Sequence, residues 1–116
     1  MRFVCLVYFE PETFAGLSPS DKETLRRDSM AYDKELGRSG HYIVAEALNP
    51  VSTAKTVRVR SGKASSTDGP FAETKEHLGG FILVNAADMS EALEIAAKIP
   101  LAKLGSIEVR PVMQFD

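Results

Sequence analysis

The densest run of groups able to do chemistry is Asp68-Gly69-Pro70-Phe71-Ala72-Glu73-Thr74-Lys75-Glu76-His77, with three carboxylates, a lysine and a histidine in ten residues. A carboxylate and an imidazole near one another can pass a proton close to neutral pH, so Asp68 and His77 are the catalytic candidates. Phe71, Glu73 and Lys75 lie between them and are candidates for ligand contact. Asp68 has a second reading, as a turn residue whose side chain bonds its own backbone ahead of Gly69. Arg110, two residues beyond Glu108 on an alternating run, is fit to clamp the carboxylate or phosphate of a small anionic ligand if its face lines a cavity; if that face is a rim, the two charges only solvate an edge. Tyr8 has the opposite parity from Phe3, Cys5, Val7 and Phe9 and offers a hydroxyl to a cavity or an anchor to an interface. Ser29 interrupts the apolar stripe of a helix; it is a candidate ligand contact, although such a serine also bonds the preceding turn's carbonyl. His41 follows a helix-ending glycine and is expected to face solvent. Cys5 lies inside an apolar strand and reads as a buried, inert thiol. Two histidines and one cysteine at no metal-ligand spacing predict no metal site. No phosphate loop, nucleophile elbow or dinucleotide fingerprint predicts a cofactor, because Gly79-Gly80 precedes a strand rather than a helix.

Elements must position these groups. Phe3 to Phe9 and Phe81 to Ala86 are apolar on both alternating faces, the pattern of strands covered on both sides. Ser18-Pro19-Ser20-Asp21 reads as a helix start with Ser18 as cap, and Leu25, Ser29, Tyr32 and Leu36 form one stripe that Gly40 ends. A strand is expected from Tyr42 to Leu48. Lys55 to Arg60 alternates strictly, with Val57 and Val59 on one face, and Ser61-Gly62 turns it into a return strand over Ala64 to Thr67. Asp88 caps a second helix with the stripe Ala92, Ile95, Ala96 and Ile99. A last strand, Ile107 to Phe115, carries Pro111 and belongs at an edge. A loop is expected after Glu10-Pro11-Glu12, up to Ser18. The order β-α-β-hairpin-β-α-β predicts an α+β, ferredoxin-like sheet with two helices on one face and an inserted hairpin. Two helices cover one face only, so the other is expected to meet a second copy of the chain, giving a homodimer packed sheet to sheet.

Composition bounds the class. The chain has 116 residues, 44% hydrophobic and 26% charged, with 14 Lys and Arg against 16 Asp and Glu and a net charge of −2. That suits one self-contained domain over residues 1–116. The near-neutral balance predicts no nucleic-acid partner, and the lack of a long apolar run predicts no membrane span. A start that reads as a strand, with a single cysteine, predicts a reduced cytoplasmic setting. The hairpin is locally basic, with Lys55, Arg58, Arg60 and Lys63 over nine residues and no acid among them.

The run Asp68 to Glu76 ahead of Gly79-Gly80 resembles the DGPF-domain branch of the YCII-related family. Glu35-Leu36 with Gly40, Leu48-Asn49-Pro50 and Gly105-Ser106-Ile107-Glu108-Val109-Arg110-Pro111 extend the resemblance over nearly the whole chain. It implies a ferredoxin-like subunit forming a dimeric α/β barrel. It further implies small-molecule chemistry with a His and an Asp near the cavity, and an association with extracytoplasmic-function sigma factors. Ser29 stands where the family's first-helix histidine would fall. Two functions follow as expectations. One is an enzyme or small-molecule-binding protein whose cavity lies at the dimer interface near Asp68, with Arg110 as anion clamp. The other is a non-catalytic ligand-sensing or regulatory module linked to sigma-factor signalling.

Overall fold

The computed structural model describes residues 1–115. The strands are β1 (Arg2–Phe9), β2 (Tyr42–Ala47), β3 (Lys55–Arg60), β4 (Lys63–Asp68), β5 (His77–Asn85) and β6 (Ser106–Pro111), and the helices are α1 (Pro11–Ala15), α2 (Pro19–Arg38) and α3 (Met89–Ala97). Four strands form an antiparallel sheet in the order β2-β5-β1-β6, and β3 pairs only with β4. This is the ferredoxin-like α+β plan, with the two doubly apolar strands β1 and β5 in the centre as expected.

Helix ends follow from local chemistry. The Ser18 hydroxyl accepts the Asp21 N–H at 3.0 Å, and Pro19 takes a first-turn position where no N–H is needed. At the other end Gly40 has φ +81°, and the His41 N–H reaches the Leu36 carbonyl at 2.9 Å, closing the helix with a left-handed glycine. Asp88 caps α3 by accepting the Glu91 N–H at 2.9 Å.

The core lies between the sheet and these helices. Phe3, Cys5 and Val7 of β1 stand opposite Val84, Ile82 and Gly80 of β5 and are buried under Tyr32 and Leu36 of α2 and Ala92, Ile95 and Ala96 of α3. Tyr32 buries its ring and donates its hydroxyl to the Ile95 carbonyl at 2.7 Å, which ties the two helices together. Two glycines are dictated by close approach: a Cβ at Gly105 would overlap the Tyr8 carbonyl, and one at Gly79 would overlap the Phe9 ring.

Three local expectations are corrected. The segment after Glu10 is a short helix, α1, with Pro11 and Glu12 in its first turn and Phe14 packed on Phe9 with ring centroids 5.8 Å apart. The last strand stops at Pro111, with one more ladder bond from the Val112 N–H to the Arg2 carbonyl at 2.9 Å, because β1, its only partner among the described residues, begins at Arg2; Met113 and Phe115 lie exposed beyond it. His41 is half-buried at a junction, with Nδ1 2.7 Å from the Ser39 hydroxyl and Nε2 3.2 Å from a Glu91 oxygen.

Candidate functional site

Tyr8, Phe71 and His77, three of the residues singled out by type, line one cavity of about 600 Å³ with Leu48, Pro50 and Leu78. Its floor is the end of the central pair β1 and β5. Its walls are the connection from Leu48 to Ala54, the base of β3, and the Asp68–Glu76 loop. A shift in strand register between Val7 and Tyr8 breaks the ladder here, a device that re-aims side chains beside sites. The lining is mostly apolar and aromatic, with a few polar groups from Tyr8, Thr56, Thr74, Lys55 and His77. That balance is typical of sites for small organic molecules, where polar groups set orientation and apolar walls supply most of the affinity.

The hairpin base is pinned to this cavity. The Gly69 N–H reaches the Ala54 carbonyl at 2.7 Å, and the Thr56 hydroxyl donates to the Gly69 carbonyl at 2.8 Å. Gly69 has φ +94°, a left-handed conformation that explains glycine before Pro70. Phe71, 78% exposed, stands at the mouth. Asp68 lies at the end of β4, its side chain 88% exposed, and accepts the Lys55 ammonium at 2.7 Å. Asp68 does not line the cavity, whereas its partner Lys55 does.

The remaining predicted residues are dispersed. Glu73 and Lys75 are exposed on the loop and do not line the cavity. Arg110 lies on the edge strand β6 with its guanidinium paired to Glu108, opposite Val4 rather than opposite the cavity-lining Tyr8. Ser29 faces the opposite, helix-covered side of the sheet, in a separate cavity of about 170 Å³ with Tyr32 and Asp33. Burial there pushes the Asp33 carboxyl above its ordinary range. Asp68, Arg110 and Ser29 thus do not converge.

Sequence reasoning missed the wall formed by Leu48, Pro50 and Val51, because Asn49-Pro50 signals only a turn. It also missed Asp33, one helical turn beyond Ser29. Ser39, His41 and Glu91 stand in the order of a proton relay. However, Ser39 sits at a helix C-terminus, where the carbonyl ends oppose negative charge on its oxygen. Its hydroxyl also lies 3.1 Å from the Leu36 carbonyl, and the Glu91 oxygen also accepts the Ala87 N–H at 3.0 Å. These three residues tie α2, β2 and α3 together. Cys5 is wholly buried, and burial pushes its thiol up to about 11, so the thiolate that reacts or binds metal is disfavoured. Among the described residues no group of three His, Cys, Asp or Glu side chains is placed to hold a metal ion, and no helix is long and apolar enough to cross a membrane.

The family description of a YCII-related domain matches residues 1–116. The chain belongs to the YCII-related family. An uncharacterized protein of Rhizobium meliloti (strain 1021) is 35% identical over 114 residues, covering 97% of this chain and 92% of that protein. Among solved structures, the fold is similar to that of 5-chloro-2-hydroxyhydroquinone dehydrochlorinase from Burkholderia phenoliruptrix AC1100, in complex with 2,5-dihydroxybenzoquinone. That match has a TM-score of 0.57 and 15% identity, and covers 99% of this chain and 96% of the other. The likeness extends over the whole YCII-related chain and concerns its fold.

Proposed function

We propose that this YCII-related protein binds a small, planar, oxygenated organic molecule, in anionic form, in the cavity between Tyr8, Phe71 and His77. The observation that carries the reading is the meeting of two aromatic rings and an imidazole in one mainly apolar cavity of about 600 Å³. A ring stacks on Phe71 or Tyr8, while the Tyr8 hydroxyl and the His77 imidazole orient its oxygens. Lys55 supplies the positive charge, moderated by Asp68. Of the two acid–base candidates His77 is the one that lines the cavity, so any proton moved on the ligand passes through it. The dehydrochlorinase neighbour was solved with 2,5-dihydroxybenzoquinone, which makes that compound the first molecule to try.

A second reading is supported by the dispersal of Ser29 and Asp68. Among the described residues no His–Asp pair forms in the cavity, which favours ligand sensing without turnover, as in a regulatory module of sigma-factor signalling. Calorimetric titration with 2,5-dihydroxybenzoquinone tests binding, and Phe71→Ala is expected to weaken it about tenfold through lost ring contact. No heat with wild-type protein, or equal affinity for the variant, would overturn the placement. Spectrophotometry of the bound compound separates the readings: turnover lost in His77→Gln supports chemistry, and an unchanged spectrum supports sensing.

The open sheet face supports a second copy as partner. By register, Val4 and Leu6 of β1 stand opposite Leu83 and Phe81 of β5, with Val44 of β2 beside them, and no helix of the chain covers them. We place the homodimer contact on this face.

A further inference from the structure

Pro70, Phe71, Ala72 and Thr74 form one wall of the cavity, yet every residue from 70 to 75 is exposed, so solvent rather than the body of the protein lies behind that wall. The segment is fastened at its ends and free between them. At one end the Gly69 N–H reaches the Ala54 carbonyl at 2.7 Å, and the Thr56 hydroxyl donates to the Gly69 carbonyl at 2.8 Å. At the other the Ser106 hydroxyl donates to a Glu76 carboxylate oxygen at 2.9 Å, and His77 enters β5 opposite Phe9. Among the described residues, Phe71, Ala72 and Glu73 make no hydrogen bond, and Thr74 bonds only the Glu76 carbonyl within the same loop, at 2.6 Å. A stretch with a solvated backbone and few buried contacts is the part of a chain that opens and rearranges most readily. The Phe71 ring is 78% exposed at the mouth, while Leu48, Pro50 and Leu78 line the space beneath it. Setting that ring on a bound molecule takes apolar surface of both out of water.

We propose that residues 70–75 are a lid, hinged at Gly69 and Glu76, that folds down on a ligand in the cavity and lays the Phe71 ring over it. The inference rests on the cavity reading above and adds how the cavity closes. Gly69 has φ +94° and open space where a Cβ would stand, so the backbone can turn there without a side chain to limit it. Pro70 fixes the next φ and stiffens the start of the lid. The tethers to Ala54, Thr56 and Ser106 keep the segment in place over the cavity as it moves. A ligand drives closure only by what it gains in the closed form over the open one, and that gain is the contact of a planar ring with Phe71. With no ligand, ordering the segment costs conformational entropy that the ring alone does not offset, so the open form prevails.

Amide-resolved hydrogen–deuterium exchange tests the lid, with protein free and saturated with 2,5-dihydroxybenzoquinone. In the free protein the amides of residues 71–75 should exchange at about the rate of an unstructured chain, and in the complex all five should slow about tenfold or more. Glu73 and Lys75 carry the distinction, because they do not line the cavity and a fixed wall touched by ligand would leave them unprotected. Phe71→Ala, at concentrations that saturate it by calorimetry, should bind without slowing these amides. Saturation of the wild type with no slowing, slowing confined to Phe71, Ala72 and Thr74, or equal slowing in Phe71→Ala overturns the lid while leaving the cavity reading standing. No calorimetric heat with the wild-type protein overturns both.

Discussion

The two faces of β1 are made of similar residues and have opposite fates. Phe3, Cys5 and Val7 point into the helix layer and are buried, whereas Val4, Leu6 and Tyr8, one residue out of step, face the side that no helix covers. The difference teaches that hydrophobicity alone does not tell stability from recognition. The covered face holds the fold together; the open face, continuing past the register shift at Tyr8 into the cavity, is the one on which we place the ligand and the partner.

The largest effect that could break this comparison is a matched pair of truncations. Phe3→Ala is expected to cost about 3–5 kcal/mol in urea unfolding, since the cavity it leaves cannot collapse against the packed helices. Leu6→Ala should cost less than half of that in dilute solution, where its face is uncovered. Equal losses would mean that the open face is as structural as the covered one.

Tyr32→Phe sharpens the covered side. Removing the hydroxyl that bonds Ile95 should cost about 1 kcal/mol at neutral pH. Burial, with Glu35 and Cys5 nearby, pushes the Tyr32 phenol from 10.0 up to about 12, and burial pushes the Cys5 thiol from 9.0 up to about 11. Both groups are harder to ionise folded than unfolded, so their stabilising share is complete below pH 9 and is lost as pH rises through these values. Wild-type protein should lose stability from pH 9 to 12, and Tyr32→Phe only the part between 9 and 11. A variant with the wild-type alkaline profile would show that Tyr32 is not the group responsible. The smallest effect is at a helix end: Asp88→Ala should cost about 1 kcal/mol, read as a drop of about 4 °C or more in Tm.

Much of the fold was legible because local chemistry and topology agree. Ser18-Pro19 and Asp88 announce helix starts, Gly40 a helix end, and the doubly apolar runs mark the two central strands. The helix α1 was missed although Pro11 and Glu12 carry a first-turn signal, because it is only five residues long and is anchored by the contact of Phe14 with Phe9 outside that run. The site was half legible. Residue type picked out Tyr8, Phe71 and His77, and the topology brings them to one cavity. Arg110 and Ser29 were chosen by type and parity alone; strand register sets Arg110 opposite Val4, away from Tyr8 along β1, and helix packing puts Ser29 under the sheet. Pairing between strands decides such placements, and it is not encoded in the spacing of any single segment.

The most direct test of the account maps where a ligand binds. Amide and aromatic NMR spectra recorded during titration with 2,5-dihydroxybenzoquinone should show saturable shifts at Tyr8, Phe71, His77 and Leu78, with those of Ser29, Asp33 and His41 unchanged. Shifts confined to the helix side, or no saturable shift at the Tyr8–Phe71–His77 cavity, would contradict it.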